Sequence, residues 1–192
     1  MTPRDPLIDG LGSSNENGVS VLAAQGTTRL SASQYGALAA AYQPDIVASL
    51  SDEVSSSVAS NRARKASQRS VVWADEMQRA MAASRAAAGS PPKRKTLFFA
   101  SVQGGSDLEQ RRASCAEYSR RAALADAEAK AAAPGSAAAP SAAGSIDGFV
   151  IGGLGSGEDV AKREEIVAHV VVSARGFLQE RCGLRAVMSG LL

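Results

Sequence analysis

The stretch Thr96–Gly105, TLFFASVQGG, reads as a buried strand, Thr96–Val102, that runs into Gln103 and two glycines. A charged helical segment follows at once. A second stretch of the same kind, Gly148–Leu154 (GFVIGGL), leads into Gly155–Glu158 (GSGE) and another helical pattern. Two strands that end in glycines and then enter helices read as adjacent βα units. Such units gather their loops at the carboxyl ends of parallel strands, where α/β proteins bind ligands.

Upstream, Asp45–Leu50 (DIVASL) is the first convincing buried strand. It ends in Ser51, Asp52 and Glu53, which puts two carboxylates at its carboxyl end. Residues 61–88 have the pattern of a long helix, with Ala66, Trp73, Met77, Ala80, Met81 and Ser84 as its inward stripe. Arg62, Arg64, Lys65 and Arg69 make its first two turns basic, and Gly89–Pro92 ends it. Nearer the N-terminus, residues 1–15 form an irregular lead-in rich in Pro, Gly and Ser. A hairpin is expected from a turn at Asn17-Gly18, a short strand Val19–Ala23 and a second turn at Gln25-Gly26. Ser31 and Gln34 form a capping box before a helix with apolar positions Tyr35, Leu38, Ala39 and Tyr42. Pro44 ends that helix.

Downstream, Ser106–Lys130 reads as a helix with Ser106 as its N-cap. Residues 131–145, AAAPGSAAAPSAAGS, offer nothing to bury and read as a flexible low-complexity insertion. Asp147–Ile151 resumes as a strand. Glu158–Glu180 follows as a helix, with Val167, Val170, Val171, Ala174, Phe177 and Leu178 facing inward and Gly183 closing it. Leu184–Met188 begins a final strand. Alternating strands and helices give an α/β fold with about four parallel strands and right-handed crossovers. A doubly wound sheet and part of an eight-stranded (β/α)8 barrel both fit; four strands cannot close such a barrel.

Composition narrows the function classes only coarsely. The chain has 192 residues, 21 basic and 19 acidic, with a formal net charge of +2. That balance does not imply nucleic acid by itself. The two cysteines, Cys115 and Cys182, are far apart and form no CxxC pair, which excludes a zinc ribbon and a disulfide scaffold. A reduced, intracellular protein is the default. No apolar run reaches the roughly 20 residues needed to span a bilayer, and the N-terminus lacks a hydrophobic signal core.

The two glycine loops have three readings. A phosphate at a helix N-terminus is one, yet Glu158 and Asp159 stand where the second helix starts and neither loop carries a lysine or arginine. A flat, neutral, polar base is another. The carboxylate of Asp52 would accept two N–H donors, while the Gln103 amide and a backbone N–H near Gly153 would serve a carbonyl. Unpaired polar groups in such a pocket cost about 1–3 kcal/mol each, so the match would discriminate among bases. The plainest reading makes the glycines tight βα turns and Asp52 a helix cap.

Residues 43–53 (QPDIVASLSDE), 101–105 (SVQGG) and 147–158 (DGFVIGGLGSGE) occur in one order at compatible spacing. Together they resemble the tRNA-guanine transglycosylase family, and Leu184–Gly190 resembles the family's next strand. The resemblance covers roughly residues 16–192 outside the insertion. It implies the central portion of a (β/α)8 TIM barrel, in a family that exchanges guanine for queuine at the wobble position of certain tRNAs. The Pro-Asp and Leu-Ser-Asp pattern followed by the basic helix is closer to the accessory branch of queuine tRNA-ribosyltransferase; the intact VQGG and IGGL segments look more like the catalytic branch. Of the two, the accessory branch is the expectation.

On that resemblance Asp52 and Gln103 match the base-recognising aspartate and glutamine. Gly153 matches the glycine whose N–H contacts the base, with Gly152 and Leu154 beside it. The implied partners are a catalytic subunit in a heterodimer, tRNA, and queuine or guanine. The implied location is cytoplasmic, with mitochondrial association as a variant. The family's zinc ligands, its nucleophilic aspartate and its Asp-Ser-Gly-Gly-Phe motif have no match in the sequence, and Cys115, Cys182 and His169 do not replace them. No catalytic residue and no metal site is therefore expected, and no base exchange by the chain alone. Lys93, Arg94 and Lys95, with the basic start of the Arg62 helix, are candidates for tRNA phosphates; a solvated face is the plainer alternative.

Overall fold

The computed structural model describes residues 14–24, 26–89, 95–131, 145–154 and 157–182. The chain opens with an antiparallel hairpin, β1 (Val19–Ala23) and β2 (Gly26–Leu30), in the register Val19 opposite Leu30. It passes directly into α1 (Ala32–Tyr42). Ser31 Oγ accepts from the Gln34 N–H at 3.2 Å and the Gln34 side chain accepts from the Ser31 N–H at 2.9 Å, the expected capping box. The helix ends at Gln43, which sits in the left-handed region at φ 50 just before Pro44.

The rest alternates strand and helix: β3 (Ile46–Ala48), α2 (Ser60–Ala87), β4 (Leu97–Val102), α3 (Leu108–Ala131), β5 (Gly148–Ile151) and α4 (Val160–Cys182). The three strands form one parallel sheet in the order β3-β4-β5. Val47 pairs with Phe98 and Ala100 with Phe149. The fold is thus α/β, as the alternation predicts. Among the described residues the sheet has three strands and does not close. The expected strand Leu184–Met188, the cap at Gly183 and nearly all of the 131–145 insertion lie outside the described residues.

One face of the sheet is covered. Val47, Phe98, Ala100 and Val102 are buried. Phe149 packs between Tyr118 of α3 and Phe177 of α4, with ring centroids 6.2 and 4.6 Å away. Of the alternate residues, Leu97 and Phe99 are half-buried and Ile46 is half exposed, while Ser101 is buried near the carboxyl end of β4. The helix α1 lies against α2 at close range because residue 36 is glycine. A Cβ there would overlap the Met77 carbonyl oxygen and stand 2.9 Å from Ala80 Cβ.

Local boundaries differ from the sequence reading for identifiable reasons. The first parallel strand is shorter than Asp45–Leu50: after the backbone bond from the Ser49 N–H to the Phe99 carbonyl at 2.8 Å, its contacts pass to side chains. Ser101 N–H donates to Ser49 Oγ at 2.9 Å, and Ser101 Oγ donates back to the Ser49 carbonyl at 3.1 Å. Asp107, not Ser106, caps α3: its carboxylate accepts from the Gln110 N–H at 3.1 Å, while the Ser106 hydroxyl donates to the Ser56 carbonyl at 2.8 Å. On α4 the buried line is Ile166, Val170, Ala174 and Phe177, while Val167 and Val171 are each 37% exposed. A valine-rich helix carries apolar residues on more than one face, and the line at three- and four-residue spacing is the one that meets Phe149. On α2, Ala66, Trp73, Met77 and Met81 are buried as expected; Ala80 and Ser84 are half-buried.

Candidate functional site

The carboxyl ends of β4 and β5 converge on Gln103. Its side chain is fully buried, yet neither Nε2 nor Oε1 has a hydrogen-bond partner among the described residues. The amide lies across the loop that follows β5. A Cβ at residue 152 would overlap Gln103 Nε2, and one at residue 153 would stand 3.0 Å from Oε1. Gly153 also has φ +69, a conformation side chains disfavour. The room the two glycines leave is therefore taken up by Gln103 itself and, over Gly153, by the Val54 carbonyl.

Beneath this amide lies Arg111, the largest fully buried side chain. Its Nε donates to the Gly105 carbonyl at 2.8 Å, and Nη1 donates to the carbonyls of Val102 (3.3 Å) and Gly152 (3.1 Å). One guanidinium thus ties the ends of β4 and β5 together, and among the described residues its Nη2 has no partner. Burial pushes its pKa down to about 10, against the opposing pull of Cys115 and Glu158. Sequence reading took Arg111 for one more residue of a charged helix. Its position on the first turn was the available signal, because helical side chains lean toward the N-terminus and a long one reaches back over the preceding loop.

Asp52 stands beyond β3 and is fully buried. Arg62 grips its carboxylate with both ends of the guanidinium, Nη1 on Oδ2 and Nη2 on Oδ1, each at 2.7 Å. Arg69 donates to Oδ2 as well, with its guanidinium 6.0 Å from the Trp73 ring centroid. The Asp52 N–H donates to Ser70 Oγ at 2.9 Å. The hydrogen bonds that Arg62 donates to Asp52 hold its pKa above the ordinary value. Asp52 is not a helix cap: α2 starts after Ala59 with no side-chain cap. Two of the cations assigned to tRNA phosphates on sequence grounds, Arg62 and Arg69, turn toward this buried anion instead. Their spacing of seven, two helical turns, was the sign that they share a face. Arg64 and Lys65 remain exposed.

The segment from Asp52 to Ala59 covers the same end of the sheet. Val54 is buried with its carbonyl over Gly153, and the Ser56 carbonyl takes the Ser106 hydroxyl. Asp52, Gln103, Gly152 and Gly153 are therefore gathered at one end, as the βα pattern predicts; Leu154 is half-buried and packs on the core. Lys95 is not with them. It precedes β4 at the opposite end of the strand, 67% exposed, and pairs with Asp147 at 2.6 Å. Lys93 and Arg94 lie outside the described residues.

The arrangement offers recognition more than reaction. Gln103 and Arg111 present buried donors and an acceptor without partners, while the Asp52 carboxylate is engaged. Burial pushes the Cys115 thiol up to about 11, the wrong direction for a nucleophile. Among the described residues no group of three His, Cys, Asp or Glu side chains could hold a metal. The zinc of the resembled family therefore finds no fitting donor set there. No described helix is long and apolar enough to cross a membrane. A family model described as queuine tRNA-ribosyltransferase matches residues 7–176.

Proposed function

Because the chain belongs to the queuine tRNA-ribosyltransferase (tRNA-guanine transglycosylase) family, we propose that it acts in tRNA modification as a non-catalytic accessory subunit. In this role it assists a catalytic partner that exchanges guanine for queuine at the wobble position. The carrying observation is Gln103. A fully buried amide with both polar atoms unpartnered is costly to keep, by about 1–3 kcal/mol per group. That cost is explained if a ligand edge completes the hydrogen bonds. Gly152, Gly153 and Leu154 form the adjacent wall, and Asp52 supplies the carboxylate at the same end of the sheet.

The accessory role is favoured over a catalytic one by the Pro-Asp and Leu-Ser-Asp pattern followed by the basic helix; the Asp52 carboxylate is held in ion pairs by Arg62 and Arg69 of that helix. Lys93, Arg94 and Lys95 are assigned to tRNA backbone contact on charge alone. On this reading residues 16–192, with the insertion at 131–145, form the central portion of the family's TIM-barrel domain.

Co-expression with a catalytic queuine tRNA-ribosyltransferase tests the reading. The chain is expected to co-purify with the partner and to incorporate no labelled guanine into tRNA on its own. Measurable exchange by the purified chain alone would make it an enzyme. Failure both to pair and to retain base or tRNA would remove the accessory reading.

A further inference from the structure

We propose that Arg62 decides whether the pocket admits a base, by competing with it for the Asp52 carboxylate. The inference rests on the base-binding reading above and adds to it what holds the site closed. An ionised carboxylate has about four acceptor positions on two oxygens. Arg62 takes one on each oxygen with a forked, two-pronged grip, and Arg69 takes a second on Oδ2. A guanine-like edge presents two adjacent N–H donors and needs both oxygens side by side. That is the approach Arg62 already occupies, so the two cannot be bound together.

The two arginines are not equivalent. Arg69 makes one hydrogen bond, lies near the Trp73 ring, and has a side chain 25% exposed. It can stay in place when a base arrives, holding one hydrogen bond to Oδ2. Arg62 is 33% exposed and sits on the first turn of α2, a turn with no side-chain cap. Its guanidinium can swing into water without opening the core. Apparent affinity for a free base is then reduced by the fraction of molecules in which Arg62 is withdrawn.

Equilibrium dialysis of the full chain against radiolabelled guanine tests this. Arg62→Gln is expected to bind guanine about tenfold more tightly than the unaltered chain, the ratio for a site open in about a tenth of molecules. Arg69→Gln is expected to show no gain. Arg62→Lys, which keeps the charge but lacks the fork, serves if the glutamine variant does not fold, with a smaller gain expected. Equal or weaker binding by the folded Arg62 variants overturns the proposal. If the unaltered chain binds guanine, loses it in Gln103→Ala and gains nothing in Arg62→Gln, the gate fails and the base-binding reading stands. If neither the unaltered chain nor any Arg62 variant binds guanine, both fail.

Discussion

Arg62 and Asp52 form a two-pronged ion pair whose anionic half is fully buried and whose cationic half is a third exposed. The asymmetry sets the cost of breaking it. Removing Asp52 strands two arginines that can rehydrate, so Asp52→Ala is expected to lower stability by about 1–3 kcal/mol, below the range for a wholly buried pair. Urea denaturation followed by circular dichroism reads this directly. A change under about 0.5 kcal/mol would mean the pair contributes little in water.

Gln103 leads to the opposite expectation. Its amide is buried and unpartnered, so the isosteric apolar side chain of methionine should fit better than the native one. Gln103→Met is expected to stabilise the free chain by about 1–2 kcal/mol while abolishing base retention. A lowered melting temperature would show that the amide is paired in solution.

Close approach of α1 to α2 makes Gly36 a sensitive position. A methyl group there meets the Met77 backbone, which cannot rotate away. Gly36→Ala is expected to cost about 1–3 kcal/mol by overpacking, despite alanine's higher helix propensity. A gain in stability, measured by thermal melting, would contradict the packing described.

Alkaline pH should unfold the chain in a defined window. Burial raises Cys115 from 9.0 to about 11, Tyr35 from 10.0 to about 12, and Tyr118 further still. Each is an acid whose folded pKa exceeds its unfolded one. The unfolded chain loses these protons first, so stability is intact below about pH 9 and falls as pH rises toward about 12. Arg111 works against this trend, because its lowered pKa relieves a buried charge above about pH 10. Denaturation midpoints should hold from pH 8 to about 9 and fall from there to 11, and a flat profile throughout would contradict the burial of these groups.

The basic cluster at 93–95 gives a further prediction. Substituting Lys93, Arg94 and Lys95 together by alanine should weaken tRNA retention and flatten its salt dependence by up to three charges' worth. Retention that keeps the same salt slope in a filter-binding assay would remove the cluster from the interface. Stability should barely move, since the Lys95–Asp147 pair is largely exposed on the lysine side.

The strand–helix alternation was legible because short apolar runs alternate with long helical segments, and because glycines follow β4 and β5 where the sheet ends. The gathering of Asp52, Gln103 and Gly153 followed from parallel pairing alone. What pairs with what was not legible. Whether Arg62 faces solvent or Asp52 depends on how α2 rotates against the sheet, which the Gly36 contact and the Trp73–Met77 packing help to set. The burial of Arg111 was hidden for the same reason: a helix of low amphipathicity does not announce which face is inside. Ser106 is the expected cap of α3, but the neighbouring Ser56 carbonyl takes its hydroxyl and Asp107 caps the helix instead.

Among the described residues β4 alone is bonded to a strand on each side. Its amides should therefore be the last in the sheet to exchange with deuterated water, while those on the outer edges of β3 and β5 exchange sooner. Gln103 hangs from the end of this slowest element. Asp52 hangs four residues past the three-residue β3, tied mainly by side chains. In the proposed base site the two sides thus run on different clocks: the amide side is a fixed stop, and the carboxylate side is the one that can open.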